Sequence, residues 1–205
     1  MERANQPAGN YYDKYHTRNP VARFLMNGFL GAFDDLVGLS GAKSAIEVGC
    51  GEAELCIRLA SRGLQVRGCD IADEVLPIAR QRIEEAGLKI DVWSADVLSL
   101  GPEHTEELVV CCEVLEHVDD PRQAVQRLAT LANPFLLASV PREPLWRVLN
   151  VCRGKYLGSL GNTPGHVNHW SQQAFLELLR SHFDVVAVRT PLPWTMVLCR
   201  VKHER

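Results

Sequence analysis

Two acids and an imidazole sit within five consecutive positions, Glu113-Val114-Leu115-Glu116-His117, and two further histidines, His166 and His169, follow. A neutral imidazole accepts a proton near physiological pH, so His117, with His166 and His169, is a candidate for general-base work. A second group lies upstream. Ser44-Ala45-Ile46-Glu47-Val48 runs into Gly49-Cys50-Gly51-Glu52-Ala53, and Leu55, Cys56, Leu59 and Ala60 then recur at helical spacing. That pattern predicts a buried strand, a glycine turn and a helix. Glycine in such a turn allows unusual backbone angles and close approach of a ligand, and the start of the helix offers N–H groups to it.

Gln65 to Asp70 predicts a second strand ending in an acid. A carboxylate there, in a doubly wound sheet, is placed to accept hydrogen bonds from ribose hydroxyls. The combination points to a nucleoside cofactor, either a nicotinamide dinucleotide or S-adenosylmethionine. Ala53 stands where the dinucleotide fingerprint has its third glycine, and Glu47 precedes the turn. A carboxylate at that point repels a pyrophosphate and attracts an ammonium and a sulfonium.

Glu47-Val48-Gly49-Cys50-Gly51 resembles motif I of the class I S-adenosylmethionine-dependent methyltransferases, and Asp70 resembles their ribose-binding acid. Ala95-Asp96-Val97 resembles the turn that meets the adenine. Cys112 to Val118, followed by Asp119-Asp120-Pro121, is similar to the signature after strand four. The resemblance covers roughly residues 40–140 and implies cofactor contacts by Glu47, Gly49, Cys50, Gly51, Asp70, Ile71, Asp96, Val97, Cys112 and Glu113. Tyr15 and Arg23 are the candidates from the N-terminal segment. The spacing Glu-x-x-Glu-His resembles the metal-binding signature of small-RNA 2′-O-methyltransferases and of ubiquinone-biosynthesis O-methyltransferases. It implies Glu113, Glu116 and His117 as metal ligands, with His166 or His169 completing the set. Magnesium, manganese or zinc would suit such donors; the cofactor expectation is S-adenosylmethionine, with a metal possible but not expected.

The elements that must position these groups follow in order. Residues 1–39 form an N-terminal cap in which Asn19-Pro20 opens a helix with Val21, Phe24, Leu25, Phe29 and Leu30 on its apolar face. Residues 40–205 form the methyltransferase domain, in one structural domain with the cap. Strands over Ile90–Trp93, Glu107–Cys112 and Phe135–Val140 alternate with helices, the last of these over Pro121–Leu131. A substrate lid near 141–170 includes a short helix over Pro144–Val151 and the segment Arg153-Gly154-Lys155-Tyr156. The lid's cations and aromatics, Trp170 among them, point to an acidic or aromatic substrate. Trp146 and Trp194 are assigned to packing. Ser171 caps a further helix, and strands over Phe183–Val188 and Met196–Val201 close the chain. The expected architecture is a doubly wound, seven-stranded, mostly parallel sheet in the family's order 3-2-1-4-5-7-6, with helices on both faces.

The chain of 205 residues, 46% hydrophobic and 23% charged, suits one α/β core. A net charge of −3 gives no general attraction to nucleic acid or anionic membranes. Residues 1–10 are polar, no window suits a bilayer span, and the seven cysteines read as buried thiols in a reducing cytoplasm. The expected activity is S-adenosylmethionine-dependent methyl transfer, by in-line displacement, to oxygen or carbon of a small metabolite such as a lipid-quinone precursor. The alternatives are metal-assisted 2′-O-methylation of RNA, a nicotinamide-dependent oxidoreductase and a non-enzymatic cofactor-binding protein. A monomer or homodimer is expected. Nitrogen methylation and the identity of the acceptor stay open.

Overall fold

The computed structural model describes residues 19–152, 157–160, 162–163 and 165–202. Seven strands, β1 (Ser44–Val48), β2 (Gln65–Asp70), β3 (Asp91–Ser94), β4 (Glu106–Cys112), β5 (Ala132–Pro141), β6 (Phe183–Arg189) and β7 (Trp194–Val201), form one sheet. Its order is β3-β2-β1-β4-β5-β7-β6, and only β7 runs antiparallel to its neighbours. The expected topology is therefore present. Several boundaries move: β5 starts at Ala132, before the expected Phe135, and Trp194 belongs to β7 instead of the turn ahead of it.

The central strands are apolar on both faces because helices cover both. Along β4, Leu108, Val110 and Cys112 join the core beneath α1 (Pro20–Ser40), α2 (Glu54–Ser61) and α3 (Leu76–Glu85). Val109 and Cys111 join the opposite core beneath α4 (Pro121–Leu131) and α6 (Gln172–Arg180). This period of two follows from the strand's pleat. The remaining helix, α5 (Leu145–Cys152), begins the segment between β5 and α6.

Helix α1 starts where the Asn19 side chain accepts hydrogen bonds from the Val21 and Ala22 N–H groups, with Pro20 at the first helical position. Its buried face is Met26, Phe29, Phe33, Leu36 and Val37. The expected face was partly wrong: Val21 is 62% and Phe24 69% exposed. Val21 and Phe24 lie in the exposed first turns, whereas Met26, Phe29, Phe33, Leu36 and Val37 pack into the core. Asp34 pairs with Arg58 of α2, and Asp35 with Arg189 of β6, which fixes the helix across that face. The part of the expected cap in residues 1–18 lies outside the described residues. No helix among the described residues is long and apolar enough to cross a membrane.

Candidate active site

The glycine turn leaves β1 between β2 and β4, with Glu47 opposite Gly68 on one side and Val110 on the other. Glu47 is buried, 3% exposed. Gly49 has φ +79°, and a Cβ there would meet Val114 Cγ2 at 2.2 Å, so the turn lies directly against the loop after β4. The N–H groups of Gly49 and Cys50 both donate to the Cys69 carbonyl, at 2.8 and 2.9 Å. Gly51, at φ +51°, donates its N–H to Asp70 Oδ2 at 2.8 Å, and Ala72 donates to Asp70 Oδ1 at 2.9 Å. Asp70 thus holds the turn at the mouth of β2. Each carboxylate oxygen has a second acceptor direction, so the same group could also receive a ribose hydroxyl.

Around this turn, Ile71 is about half exposed, Cys50 and Cys112 are buried, and the Ala95 N–H donates to the Asp70 carbonyl at 3.0 Å. That last bond brings the Asp96–Val97 turn beside Asp70. Asp96 is spent locally as a cap, its Oδ1 accepting the Leu98 N–H at 2.9 Å, and Val97 is buried. Helix α2 begins after Ala53, at φ +66°, which provides no side-chain cap. A nucleoside could lie across these elements, beyond the carboxyl ends of the strands.

Beneath the turn, the hydrogen bond between the Cys50 and Cys56 side chains, followed by burial, raises the Cys56 thiol well above its ordinary value. Burial pushes the Cys69 thiol up to about 12 and raises those of Cys111 and Cys112 as well. Cys50, Cys56, Cys69, Cys111, Cys112 and Cys199 are buried and unbridged, as expected of structural thiols.

The second half of the site follows β4. Glu113 adopts φ +61°, a conformation that costs a non-glycine residue about 1–3 kcal/mol. Its backbone N–H donates to the Ser139 carbonyl at 3.1 Å. Its carboxylate accepts the Ser139 hydroxyl at 3.1 Å and the Trp194 indole N–H at 2.6 Å. These bonds hold the strained residue in place. The expected ligand set was Glu113, Glu116 and His117; among the described residues Glu113 is not in the cluster that forms around His117. Instead, Glu116, His117 and His166 bring one ligand atom each to within 4.8 Å of one another. Glu116 is 1% exposed.

His117 Nδ1 lies 2.9 Å from the Gly165 carbonyl. A carbonyl only accepts, so Nδ1 carries the proton in the neutral ring and Nε2 is the acceptor nitrogen. The His166 ring meets His117 edge-on, with centroids 4.9 Å apart, and stacks with Trp146 at 6.0 Å. Trp146 in turn lies 5.8 Å from Trp194, which meets Phe29 of α1 at 5.1 Å. The two tryptophans assigned to packing therefore form an aromatic wall running from Glu113 to His166.

The other candidates separate. His169 is exposed and hydrogen-bonded through Nε2 to Asn162 Oδ1 at 2.7 Å. Arg23 is exposed on the first turn of α1. Tyr15, Arg153, Lys155 and Tyr156 lie outside the described residues. Trp146, Trp194, Ser139 and Asn168 were not singled out as site residues. Ser139 carried one signal: a hydroxyl in the otherwise apolar run Phe135–Val140 needs a partner when fully buried.

A family profile described as a methyltransferase domain matches residues 45–134. The chain is 32% identical to the ubiquinone biosynthesis O-methyltransferase of Nitrosospira multiformis over 171 residues, covering 78% of this chain and 68% of that protein. It is 38% identical to the protein of the same name from Bordetella parapertussis over 179 residues, covering 79% and 70%. Magnesium protoporphyrin IX methyltransferase from Synechocystis, solved with bound SAH, superposes with a TM-score of 0.70 at 21% identity, covering 91% of this chain and 89% of that one. At that identity the superposition speaks for the fold.

Proposed function

Because the chain belongs to the class I S-adenosylmethionine-dependent methyltransferases, we propose that it methylates a hydroxyl oxygen of a small aromatic metabolite. The observation that carries the acceptor class is Trp146 and His166 beside His117, with the buried Trp194 packed behind Trp146. Aromatic rings recognise a flat acceptor by offset stacking or edge contact and keep water from the reacting atoms. The names of the relatives, which are O-methyltransferases, agree with oxygen as the nucleophile. The nicotinamide-dependent alternative falls with membership of this family.

S-adenosylmethionine, when bound, supplies a methyl group made electrophilic by its sulfonium. In this reading Asp70 holds the ribose while Gly49, Cys50 and Gly51 let the donor approach the main chain. Glu47 supplies negative charge near the donor's cationic end. Ile71, Asp96 and Val97 border the adenine, and Cys112 and Glu113 line the floor under the transfer path. His117 Nε2 takes the acceptor hydroxyl's proton as the oxygen attacks. The C–S bond breaks as the C–O bond forms, its electron pair stays on sulfur, and the proton passes from His117 to solvent. Most of the rate comes from alignment. In this reading helix α1 borders the acceptor on one side, and Trp146 with the stretch 165–170 borders it on the other.

A second reading rests on the grouping of Glu116, His117 and His166. One carboxylate and two imidazoles suit manganese or zinc better than magnesium, and these three side chains would hold the ion. It would polarise the acceptor hydroxyl in place of a base.

The test is methyl transfer by the purified chain to a panel of phenols and catechols, with RNA and amine acceptors alongside and each product identified by mass. Transfer to a catechol oxygen that persists in excess chelator supports His117 as base. Transfer abolished by chelator and restored by manganese selects the metal. Methylation of RNA or amines alone would overturn the acceptor class.

A further inference from the structure

The segment 165–168 meets the loop after β4 at every carbonyl that flanks His117. The N–H groups of Val167 and Asn168 both donate to the Glu116 carbonyl, at 2.9 and 3.1 Å. The Asn168 side-chain amide donates to the Leu115 carbonyl at 3.2 Å and to the Val118 carbonyl at 2.6 Å. Both partners only accept, so the group facing them is the NH2 and the orientation of the amide is fixed. Three residues earlier in the same segment, the Gly165 carbonyl receives His117 Nδ1. One short stretch thus grips the backbone on both sides of His117 and the ring itself. Its far end is anchored where Arg142 and Trp170 form a bridge and the Glu143 N–H donates to the Trp170 carbonyl at 2.9 Å.

We propose that Asn168 is a positioning residue: it clasps the loop after β4 so that the Gly165 carbonyl fixes the tautomer and aim of His117. This rests on the role given to His117 above and adds the residue that makes the role possible. Losing the Gly165 carbonyl weakens the preference for the proton on Nδ1, and in the other tautomer Nε2 carries a proton and cannot accept another. Outer partners that orient a catalytic or ligating histidine act in this way. Asparagine suits the position because two carbonyls must be served by one planar group with two donors. Aspartate has the same shape and would set a carboxylate against both.

The experiment compares wild type with Asn168→Ala, Asn168→Asp and Gly165→Ala in the full chain. The tautomer is read first, from two-bond proton–nitrogen NMR of the histidine rings, in chelator and across a pH series that identifies the neutral form. His117→Asn identifies the signal. Wild type shows His117 protonated at Nδ1, and Asn168→Ala and Asn168→Asp show a mixture. For O-methylation of 3,4-dihydroxybenzoate, used as the catechol probe, kcat falls by about 10- to 100-fold in the Asn168 variants. KM for the donor and the affinity for S-adenosylhomocysteine stay within about twofold, because the cofactor elements are untouched. An unchanged His117 tautomer in Asn168→Ala and Asn168→Asp would overturn the clasp, whatever the rates. A normal kcat in His117→Asn would instead overturn His117 as the base while leaving the NMR result to stand or fall by itself.

Discussion

The carboxylate of Asp70 joins the glycine turn to the mouth of β2, accepting the Gly51 N–H at 2.8 Å through one oxygen while the other takes the Ala72 N–H. The residue expected to grip a ribose is also a structural clamp on the turn that receives the donor. Replacing it should therefore damage both. Asp70→Asn keeps one oxygen but sets an NH2 against a backbone N–H. Hydrogen bonds to charged groups are worth about 1.5–3 kcal/mol, so S-adenosylhomocysteine affinity should weaken by about 10- to 100-fold in calorimetry. Unchanged affinity would remove Asp70 from the cofactor site.

Gly49→Ala places a methyl group 2.2 Å from Val114 Cγ2, at a backbone angle that disfavours any side chain. Cofactor binding should be lost and the melting temperature should drop. Val114→Ala relieves the contact but not the angle, so the double variant should recover part of the stability and little of the binding. Full recovery of both would mean that the clash alone mattered.

Trp194→Phe keeps the ring that meets Phe29 and removes the N–H that Glu113 accepts. The Glu113 carboxylate then keeps the Ser139 hydroxyl but loses its indole donor, at a cost of about 1–3 kcal/mol in urea unfolding. The acceptor KM should rise while S-adenosylhomocysteine affinity holds, since the indole lies on the wall side of Glu113. An equal loss of both would argue that Trp194 supports the site as a whole.

The thiols predict the behaviour in alkali. Burial raises Cys69 and Cys199 from an ordinary 9.0 to about 12, so the folded chain keeps protons that the unfolded chain gives up. Their contribution is fully present below pH 9.0 and is lost as pH rises towards 12. Stability should fall by at most about 1.4 kcal/mol per pH unit for each such thiol. Urea midpoints measured across that window should decline, and Cys69→Ala should flatten the decline. Flat midpoints in the wild type would refute the assignment.

The sequence by itself determined the turn and its acid, because each depends on a short stretch of chain, whereas the order of the sheet came with the family resemblance. Two glycines after an apolar strand specify a bend wherever they occur. A run such as Leu108 to Cys112 is apolar throughout only when both of its faces are covered. The acids and histidines could be named for the same reason, but not sorted. Glu113 is expected as a ligand beside Glu116 and His117, whereas its carboxylate accepts the indole N–H of Trp194, 81 positions away. His166 joined the group and His169 did not, although they are three positions apart, because the segment that carries them docks through Asn168 on the carbonyls of Leu115 and Val118. Such partners meet only once β7 has returned antiparallel beside β5 and the segment ahead of α6 has settled against the loop after β4. A contact across that distance leaves no local periodicity to read, so the tertiary structure alone decided which side chains face one another.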